Sequence, residues 1–339
     1  MIMNAPHEDE TTSPNGSAGK HARPAFLLLA LLCPLVGCGP QPTPPAAAPP
    51  LSPRTAMWVD LTWGEPIAYD DLLKDLATAR VIFLGERHTL PRHHALQAKI
   101  IGDLAARGTA LAVGMEQLES FNQPAVDAYN RGEISFEQLA ERSQWAKRWS
   151  GYEQYRPVVE AARAAKAPVL ALNARAETIR QVARSGGLAK MDATLRKELP
   201  ADVRLDDPEY EALLRTLMLV HAAATPEYLR PMIEAQIARD EAMADAVAEF
   251  LNSPAGRGRT VVVLCGSGHV AYGLGTPARV RRRLADLPQR IVVMSDSGDT
   301  KLTPAERDAS RPVTISHEQM RAVNRPIGDY LHVTEPARP

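Results

Sequence analysis

Five short apolar runs, each bounded by polar residues or glycine, constrain the fold of this chain more than any other feature of its sequence. They span residues 81–84, 110–113, 168–172, 261–264 and 291–294. Runs of this length are typical of strands that are buried on both faces of a parallel sheet. Apolar residues at helical spacing predict helices between them, at 93–107, 152–166 and 176–185. This alternation predicts an α/β fold, a mostly parallel sheet covered by helices.

The alternation of strands and helices lapses in two parts of the sequence. Apolar residues at helical spacing run through about 207–251, with one break near Thr225 and Pro226, which predicts a helical insertion or subdomain. Residues 300–339 are polar without a strong pattern, and we expect them to form a C-terminal tail. The α/β domain is therefore predicted to span 55–299, with the helical insertion inside it.

Ionisable side chains stand where the predicted strands end. Glu86 and His88 follow the first run, Glu116 follows the second, and His269 follows the fourth. Both histidines occur in the same pattern, Gly-x-x-His. Because ligands of open parallel sheets bind beyond the carboxyl ends of the strands, these four side chains form a plausible site.

Two kinds of chemistry and one structural role suit these four residues. An imidazole beside a carboxylate can orient a proton transfer, and imidazoles together with carboxylates can ligate a divalent metal ion. Alternatively, Glu86 and Glu116 could cap the helices that follow them, and the two histidines could be hydrogen-bonded core groups. Because four such residues fall at strand ends together, we favour a functional site over the structural role.

The N-terminus has the pattern of a bacterial lipoprotein leader. Lys20 and Arg23 precede an apolar run that is far shorter than the ~20 residues of a membrane-spanning helix. Leu-Val-Gly then stands directly before Cys38, which resembles the lipobox at which such leaders are cleaved and acylated. We therefore predict a signal peptide at 1–37, palmitate and other acyl chains on Cys38, and a proline-rich tether at 38–54.

Charge and cysteine content exclude two further classes of protein. Lysine and arginine number 39 and aspartate and glutamate 40, with the two signs interspersed, so we expect no basic surface for nucleic acid. Cys33 leaves with the leader and Cys38 carries lipid, so Cys265 is the only free thiol and an intrachain disulfide is excluded. We expect packing alone to stabilise the fold, and the lipid alone to contact the membrane.

Motifs spread along the chain resemble those of the ChaN-like haem-binding lipoproteins, a branch of the Tiki, TraB and erythromycin-esterase superfamily. The resemblance runs from about Trp58 to Met294. Its most specific parts are Leu-Gly-Glu-Arg-His at 84–88, Met-Glu at 115–116, Arg-Asp-Glu-Ala-Met-Ala at 239–244 and Gly-Ser-Gly-His-Val at 266–270. The resemblance implies a parallel α/β domain with a helical part, located on the bacterial envelope.

The same resemblance implies that haem binds non-covalently between two protomers, with a tyrosine as the iron ligand. Phenolate suits ferric iron, and a histidine or a neighbouring haem can take the other axial position. Tyr155 is the first choice for the ligand, with Tyr152 and Tyr272 as alternatives. His269 and His93 are the candidate histidine partners.

Two functions remain open at this point. The first is haem carriage for iron uptake by an anchored homodimer, with an outer-membrane haem receptor or transporter as a partner. Gly39 replaces the aspartate that retains lipoproteins at the inner membrane, which favours the outer membrane. The second is hydrolysis, in which the four strand-end residues are catalytic or hold a divalent metal ion that activates water. Those residues are Glu86, His88, Glu116 and His269.

Overall fold

One eight-stranded sheet carries the fold. The computed structural model describes residues 56–221, 226–296 and 324–334. The strands are β1 (Ala56–Asp60), β2 (Glu65–Ile67), β3 (Val81–Glu86), β4 (Leu111–Glu119), β5 (Val169–Asn173), β6 (Thr260–Gly266), β7 (Gln289–Met294) and β8 (Tyr330–Thr334). Their order across the sheet is β2-β1-β8-β7-β3-β6-β4-β5. All pairs from β8 to β5 are parallel, and β1 pairs antiparallel with β8 and β2, which confirms the predicted α/β fold with a mostly parallel sheet.

Helices of very different length connect these strands. In chain order they are α1 (Tyr69–Leu76), α2 (Pro91–Ala106), α3 (Gln123–Asn130), α4 (Phe136–Arg142), α5 (Trp145–Arg148), α6 (Arg156–Ala164), α7 (Ala176–Arg184), α8 (Ala193–Arg196), α9 (Pro208–His221), α10 (Pro226–Asn252) and α11 (Thr276–Arg283). Local chemistry sets several of their ends. Pro91 begins α2, where its missing N–H is not needed, and Ser135 with Gln138 forms a capping box ahead of α4.

Side chains of the central strands alternate between two cores, one on each face of the sheet. On β3, Ile82 and Leu84 face the core that α1, α2 and α6 cover. Val81 and Phe83 face the opposite core, which α10 and α11 cover. Burial of both faces is the reason that these strands are continuous apolar runs. With both faces covered by helices, access to the central strands is left at their ends.

The segment predicted to be a polar tail contains β8, so the prediction that the domain ends at 299 was wrong. β8 lies between β1 and β7 inside the sheet. Its residues Tyr330, His332 and Thr334 are buried in alternation with less buried neighbours. The Tyr330 hydroxyl donates to Asp75 Oδ2 at 2.7 Å, which ties the strand to α1. Alternating Tyr, Leu, His, Val and Thr is too mixed in polarity to resemble the apolar runs of the central strands.

Two helices, α9 and α10, occupy most of the span 207–251. The second half of α10 packs on the sheet through Met243 and Val247, so it belongs to the α/β layer and not to a separate subdomain. No helix in the described ranges combines the length and the apolar composition needed to cross a bilayer. The predicted signal peptide, the lipid-bearing Cys38 and the tether at 38–54 all lie outside the described residues.

Candidate functional site

The neighbouring strands β3, β6 and β4 bring the four predicted strand-end residues together. Glu86 ends β3, and His88 follows two residues later. Glu116 lies on β4 where the register with β5 shifts, an irregularity that re-aims side chains. His269 ends a short 3-10 helix, Ser267–His269, directly after β6. Glu116 lies between the two histidines, with Oε2 3.8 Å from His88 Nε2 and Oε1 3.2 Å from His269 Nε2.

Glu86 is buried and surrounded by hydrogen-bond donors. They are His88 Nδ1 at 2.7 Å, Gln97 Nε2 at 2.6 Å, Gln117 Nε2 at 3.0 Å and the Tyr155 hydroxyl. Burial would raise the pKa of Glu86, but the hydrogen bonds and charges of His88 and His94 more than offset burial and lower it to about 2. Glu86 is therefore a carboxylate at neutral pH, and it fixes the orientation of the His88 ring.

His269 lies between two buried carboxylates. Its Nδ1 is 2.7 Å from Asp240 Oδ1, and its Nε2 faces Glu116. Burial would lower the pKa of His269, but the charges of Glu116 and Asp240 outweigh burial and raise it to about 9. Burial alone would raise the pKa of Glu116. The charges of His269 and His88 outweigh burial and hold the pKa of Glu116 well below its ordinary value. Carboxylates and imidazoles thus alternate through the centre, from Glu86 through His88, Glu116 and His269 to Asp240.

Asp240 is a site residue to which the sequence analysis gave no role. It lies on α10, is fully buried, and accepts hydrogen bonds from Tyr210 OH at 2.6 Å and Thr276 Oγ1 at 2.7 Å as well as contacting His269. Gln236, one helical turn earlier, places its amide nitrogen 3.0 Å from His269 Nδ1. The signal that could have revealed this pair is two polar residues at i and i+4 on the otherwise apolar face of a helix.

Glycine stands in both Gly-x-x-His patterns because the two loops pack against each other. A β-carbon on Gly266 would lie 2.8 Å from His88 Nε2, and one on Gly85 would lie 2.7 Å from Val270 Cγ2. Gly266 has φ −58° and ψ 142°, which any residue can adopt. Close approach, and not an unusual backbone conformation, therefore requires glycine at 266.

Tyr155 and His93, two of the candidate haem contacts, are core residues. Tyr155 is fully buried and donates its hydroxyl to Glu86, and burial together with that carboxylate raises its pKa well above the ordinary value. His93 accepts from the Arg87 backbone N–H at 3.0 Å and lies 3.1 Å from the Ser295 carbonyl, and burial lowers its pKa to about 4. Tyr155 and His93 both have their polar atoms hydrogen-bonded to described residues. The same holds for His269, whose two nitrogens both face carboxylates.

The other two candidate tyrosines are partly exposed. Tyr152 donates its hydroxyl to Glu153 Oε1 at 3.3 Å, and its ring stacks on Phe136 with centroids 6.1 Å apart. Tyr272 borders a surface cleft, and within the described ranges its hydroxyl makes no hydrogen bond. Tyr272 is therefore the candidate whose phenol is available to a ligand.

The strand-end residues form hydrogen-bonded pairs in preference to a metal-binding set. Each histidine contacts a carboxylate directly, at distances from 2.7 to 3.8 Å. Among the residues that the structure describes, no three His, Cys, Asp or Glu side chains are arranged to hold a metal ion. An imidazole held against a carboxylate can transfer a proton.

The fold and the paired Gly-x-x-His loops define an α/β protein with a candidate site at the carboxyl ends of its central strands. A model of the family described as haem-binding uptake, Tiki superfamily, ChaN matches residues 72–280, and the chain belongs to this family. This confirms the resemblance noted in the sequence.

Solved structures with the same fold include ChaN of Campylobacter jejuni, described with cofacial heme binding, at a TM-score of 0.61 and 20% identity over 83% of this chain and 97% of that one. A mutant of the erythromycin esterase EreC matches at 0.42 and 11% identity over 83% of both chains. No curated protein matches the sequence.

Proposed function

We propose that this protein binds haem non-covalently and carries it for iron uptake. Membership of the haem-binding uptake family, over residues 72–280, carries this proposal. The ChaN relative from Campylobacter jejuni, described with cofacial heme binding, supports it through the shared fold. Covalent attachment of haem would need Cys-x-x-Cys-His, which the sequence lacks, so the haem is a removable cargo.

The donor chemistry of the chain fits haem at Tyr272. A bound haem would supply a ferric iron, and a tyrosine phenolate of this chain would hold it. Tyr155 is buried and already donates to Glu86, whereas Tyr272 is partly exposed and its hydroxyl is unpaired among the described residues. We therefore assign the iron ligand to Tyr272 in place of Tyr155.

The proposal extends to where the carrier works. Lipid on Cys38 would hold the protein on the bacterial envelope, at the outer membrane, and the proline-rich tether at 38–54 would hold the domain off the bilayer. Confinement near a haem receptor or transporter suits a carrier, because transfer needs proximity and not turnover. A homodimer would cover the faces of two bound haems.

Titration of the full chain with hemin, in detergent, tests this function. We expect a saturable shift of the Soret band with one haem per chain, and loss of that shift when apomyoglobin is added, because the cargo is removable. Size-exclusion chromatography of the loaded protein is expected to show a dimer. Absence of a saturable Soret shift would overturn haem carriage.

One observation favours hydrolysis as a second function. His88 Nε2 is buried and has no hydrogen-bond partner in the described part of the chain, and it lies 3.8 Å from Glu116 Oε2. The His88 side chain is also the exposed edge of the network, at 22%, whereas Glu86, Glu116 and His269 are at 0%. An unpaired imidazole nitrogen beside a carboxylate at an accessible edge can transfer a proton to or from a substrate.

Two residues of the network, His88 and Glu116, would have direct roles in such a reaction. Burial would lower the pKa of His88, but the charge of Glu116 and the hydrogen bond to Glu86 raise it. His88 Nε2 would take a proton from the attacking water as its oxygen bonds to the acyl carbon, and would return that proton to the leaving alkoxide as the ester C–O bond breaks, while Glu116 would orient the water. A panel of p-nitrophenyl esters tests this, with His88→Asn and Glu116→Gln expected to abolish activity and Tyr272→Phe to retain it. Activity that survives both site variants would exclude the network as its source.

A further inference from the structure

We propose that Trp149 controls access to His88 and that the ion pairs of Arg148 hold Trp149 in a closed position; this rests on the proton-transfer role proposed for His88. The Nε2 atom of His88 has no hydrogen-bond partner in the described part of the chain, and it is also inaccessible to solvent. The exposed 22% of the His88 side chain therefore belongs to its other atoms. A substrate reaches Nε2 only when a group that covers it moves.

Trp149 differs from the other neighbours of His88 because it lies outside the sheet. Glu86, Glu116 and Gly266 are buried on the central strands β3, β4 and β6. Glu116 Oε2 lies 3.8 Å from His88 Nε2, and a β-carbon on Gly266 would lie 2.8 Å from it. The Trp149 ring is only partly buried and meets the His88 ring at an interplanar angle of 87°, with centroids 4.9 Å apart. Trp149 can therefore move without disturbing a strand.

The turn that carries Trp149, residues 144–151, has left-handed backbone at both ends. Gln144 has φ +52° and Gly151 has φ +71°, and only the four-residue helix α5 and two further residues lie between them. A left-handed glutamine is strained, and such conformations concentrate at functional sites and switch regions. Trp145 is 1% exposed and fixes the start of the turn in the core. Motion is thus left to the other end, where Trp149 lies, with Gly151 as the hinge.

Arg148, the residue before Trp149, ties the turn to the rest of the domain. Its Nη1 lies 2.8 Å from Glu119 Oε2 and 3.2 Å from Glu177 Oε2. Glu119 ends β4, and Glu177 lies in the first turn of α7. The Arg148 guanidinium also lies over the ring of Phe121, 4.8 Å from its centroid. Because Arg148 and Trp149 are adjacent in the chain, loss of these contacts releases the ring that covers His88.

Modification by diethyl pyrocarbonate measures access to His88 without any substrate. The reagent acylates neutral imidazole, and peptide mass spectrometry follows the rate at each histidine of the full chain, in detergent, over a range of pH. The plateau of this rate at high pH does not depend on the pKa of His88, so it reports access alone. For the wild type we expect a plateau rate at His88 at least about tenfold below that of N-acetylhistidine, because the turn is mostly closed.

Variants of the turn separate the covering ring from the contacts that hold it. Trp149→Ala should raise the rate at His88 by about fivefold or more, and Trp149→Phe, which keeps a smaller ring, should raise it less. Arg148→Gln should raise the rate by about threefold, the range of an exposed ion pair or slightly more, and should add nothing in the Trp149→Ala background. Arg180→Gln is the matched control, because Arg180 pairs with the same Glu177, at 3.2 Å, from within α7.

Three results would overturn the inference. They are a wild-type rate at His88 equal to that of N-acetylhistidine, a rate that the Trp149 and Arg148 variants leave unchanged, and a rise in Arg180→Gln as large as in Arg148→Gln. The fully buried His269 reports on the fold in the same experiment, and an equal rise there would mean that the core has loosened and that Trp149 has no specific role. If access changes as expected and no ester is cleaved, the hydrolase proposal fails while control of access by Trp149 stands.

Discussion

Replacing Gly266 by alanine tests how closely the two Gly-x-x-His loops pack. The new β-carbon would lie 2.8 Å from His88 Nε2 and 3.1 Å from His88 Cε1, closer than folded proteins tolerate. The backbone of Gly266, with φ −58° and ψ 142°, accepts alanine without strain, so the contact with His88 is the whole perturbation. The ring of His88 must move, which breaks its 2.7 Å hydrogen bond with Glu86.

The expected cost follows from these contacts. A hydrogen bond to a charged group contributes about 1.5–3 kcal/mol, and overpacking costs about 1–3 kcal/mol. His88 is already 22% exposed and can swing toward water, and alanine lowers the entropy of the unfolded chain by about 0.4–1 kcal/mol, so the terms do not add fully. We expect Gly266→Ala to lower the free energy of unfolding by about 1–3 kcal/mol. Gly268→Ala is the matched control, because its β-carbon has open space.

Urea unfolding at pH 7, followed by tryptophan fluorescence, measures both variants. Gly268→Ala should change the free energy of unfolding by at most about 0.5–1 kcal/mol. Repeating Gly266→Ala in a His88→Ala background completes a double-mutant cycle, in which the cost of Gly266→Ala should largely disappear. Equal stability of the two glycine variants, or a cost that persists without the His88 ring, would refute the steric argument.

Four further predictions concern the charges of the same site and its tyrosine. Glu116→Gln leaves His269 charged beside one carboxylate and should cost about 3–5 kcal/mol of unfolding free energy in urea at pH 7. The pKa of His269 is raised from 6.5 to about 9, so its contribution to stability is complete below pH 6.5 and is lost as pH rises through 9; an NMR titration giving 6.5 or less would contradict this. The pKa of Glu86 is lowered from 4.5 to about 2, so its contribution to the free energy of unfolding is complete above pH 4.5 and is lost as pH falls through 2. Glu86→Gln should remove this part of the pH dependence of stability. Tyr155→Phe should cost about 1–3 kcal/mol of stability and leave hemin affinity unchanged. A large loss of hemin affinity would instead identify Tyr155 as the iron ligand.

The central strands could be predicted because burial on both faces leaves a strong signal in the sequence. Each of the five apolar runs became one of the strands β3 to β7, and the helices at 93–107 and 176–185 correspond to α2 and α7. The outer strands carry no such signal. β8 is stabilised by its position between β1 and β7 and by the Tyr330–Asp75 hydrogen bond, both of which join residues far apart in sequence.

The sequence predicted which strand-end residues form the site, but not all of the residues that contact them. The strand ends alone placed Glu86, His88, Glu116 and His269 at one edge of the sheet. Asp240 comes from α10, and only tertiary packing brings that helix against β6. Packing likewise decides that Tyr155 faces inward to Glu86, since the burial of one aromatic side chain follows from its neighbours and not from its own identity.

Iron anomalous diffraction from crystals of the protein grown with excess hemin tests haem carriage most directly. The expected result is one iron peak per chain, in coordination contact with the Tyr272 oxygen. Crystals that contain folded protein and no iron peak, at hemin concentrations that saturate any micromolar site, would contradict haem binding.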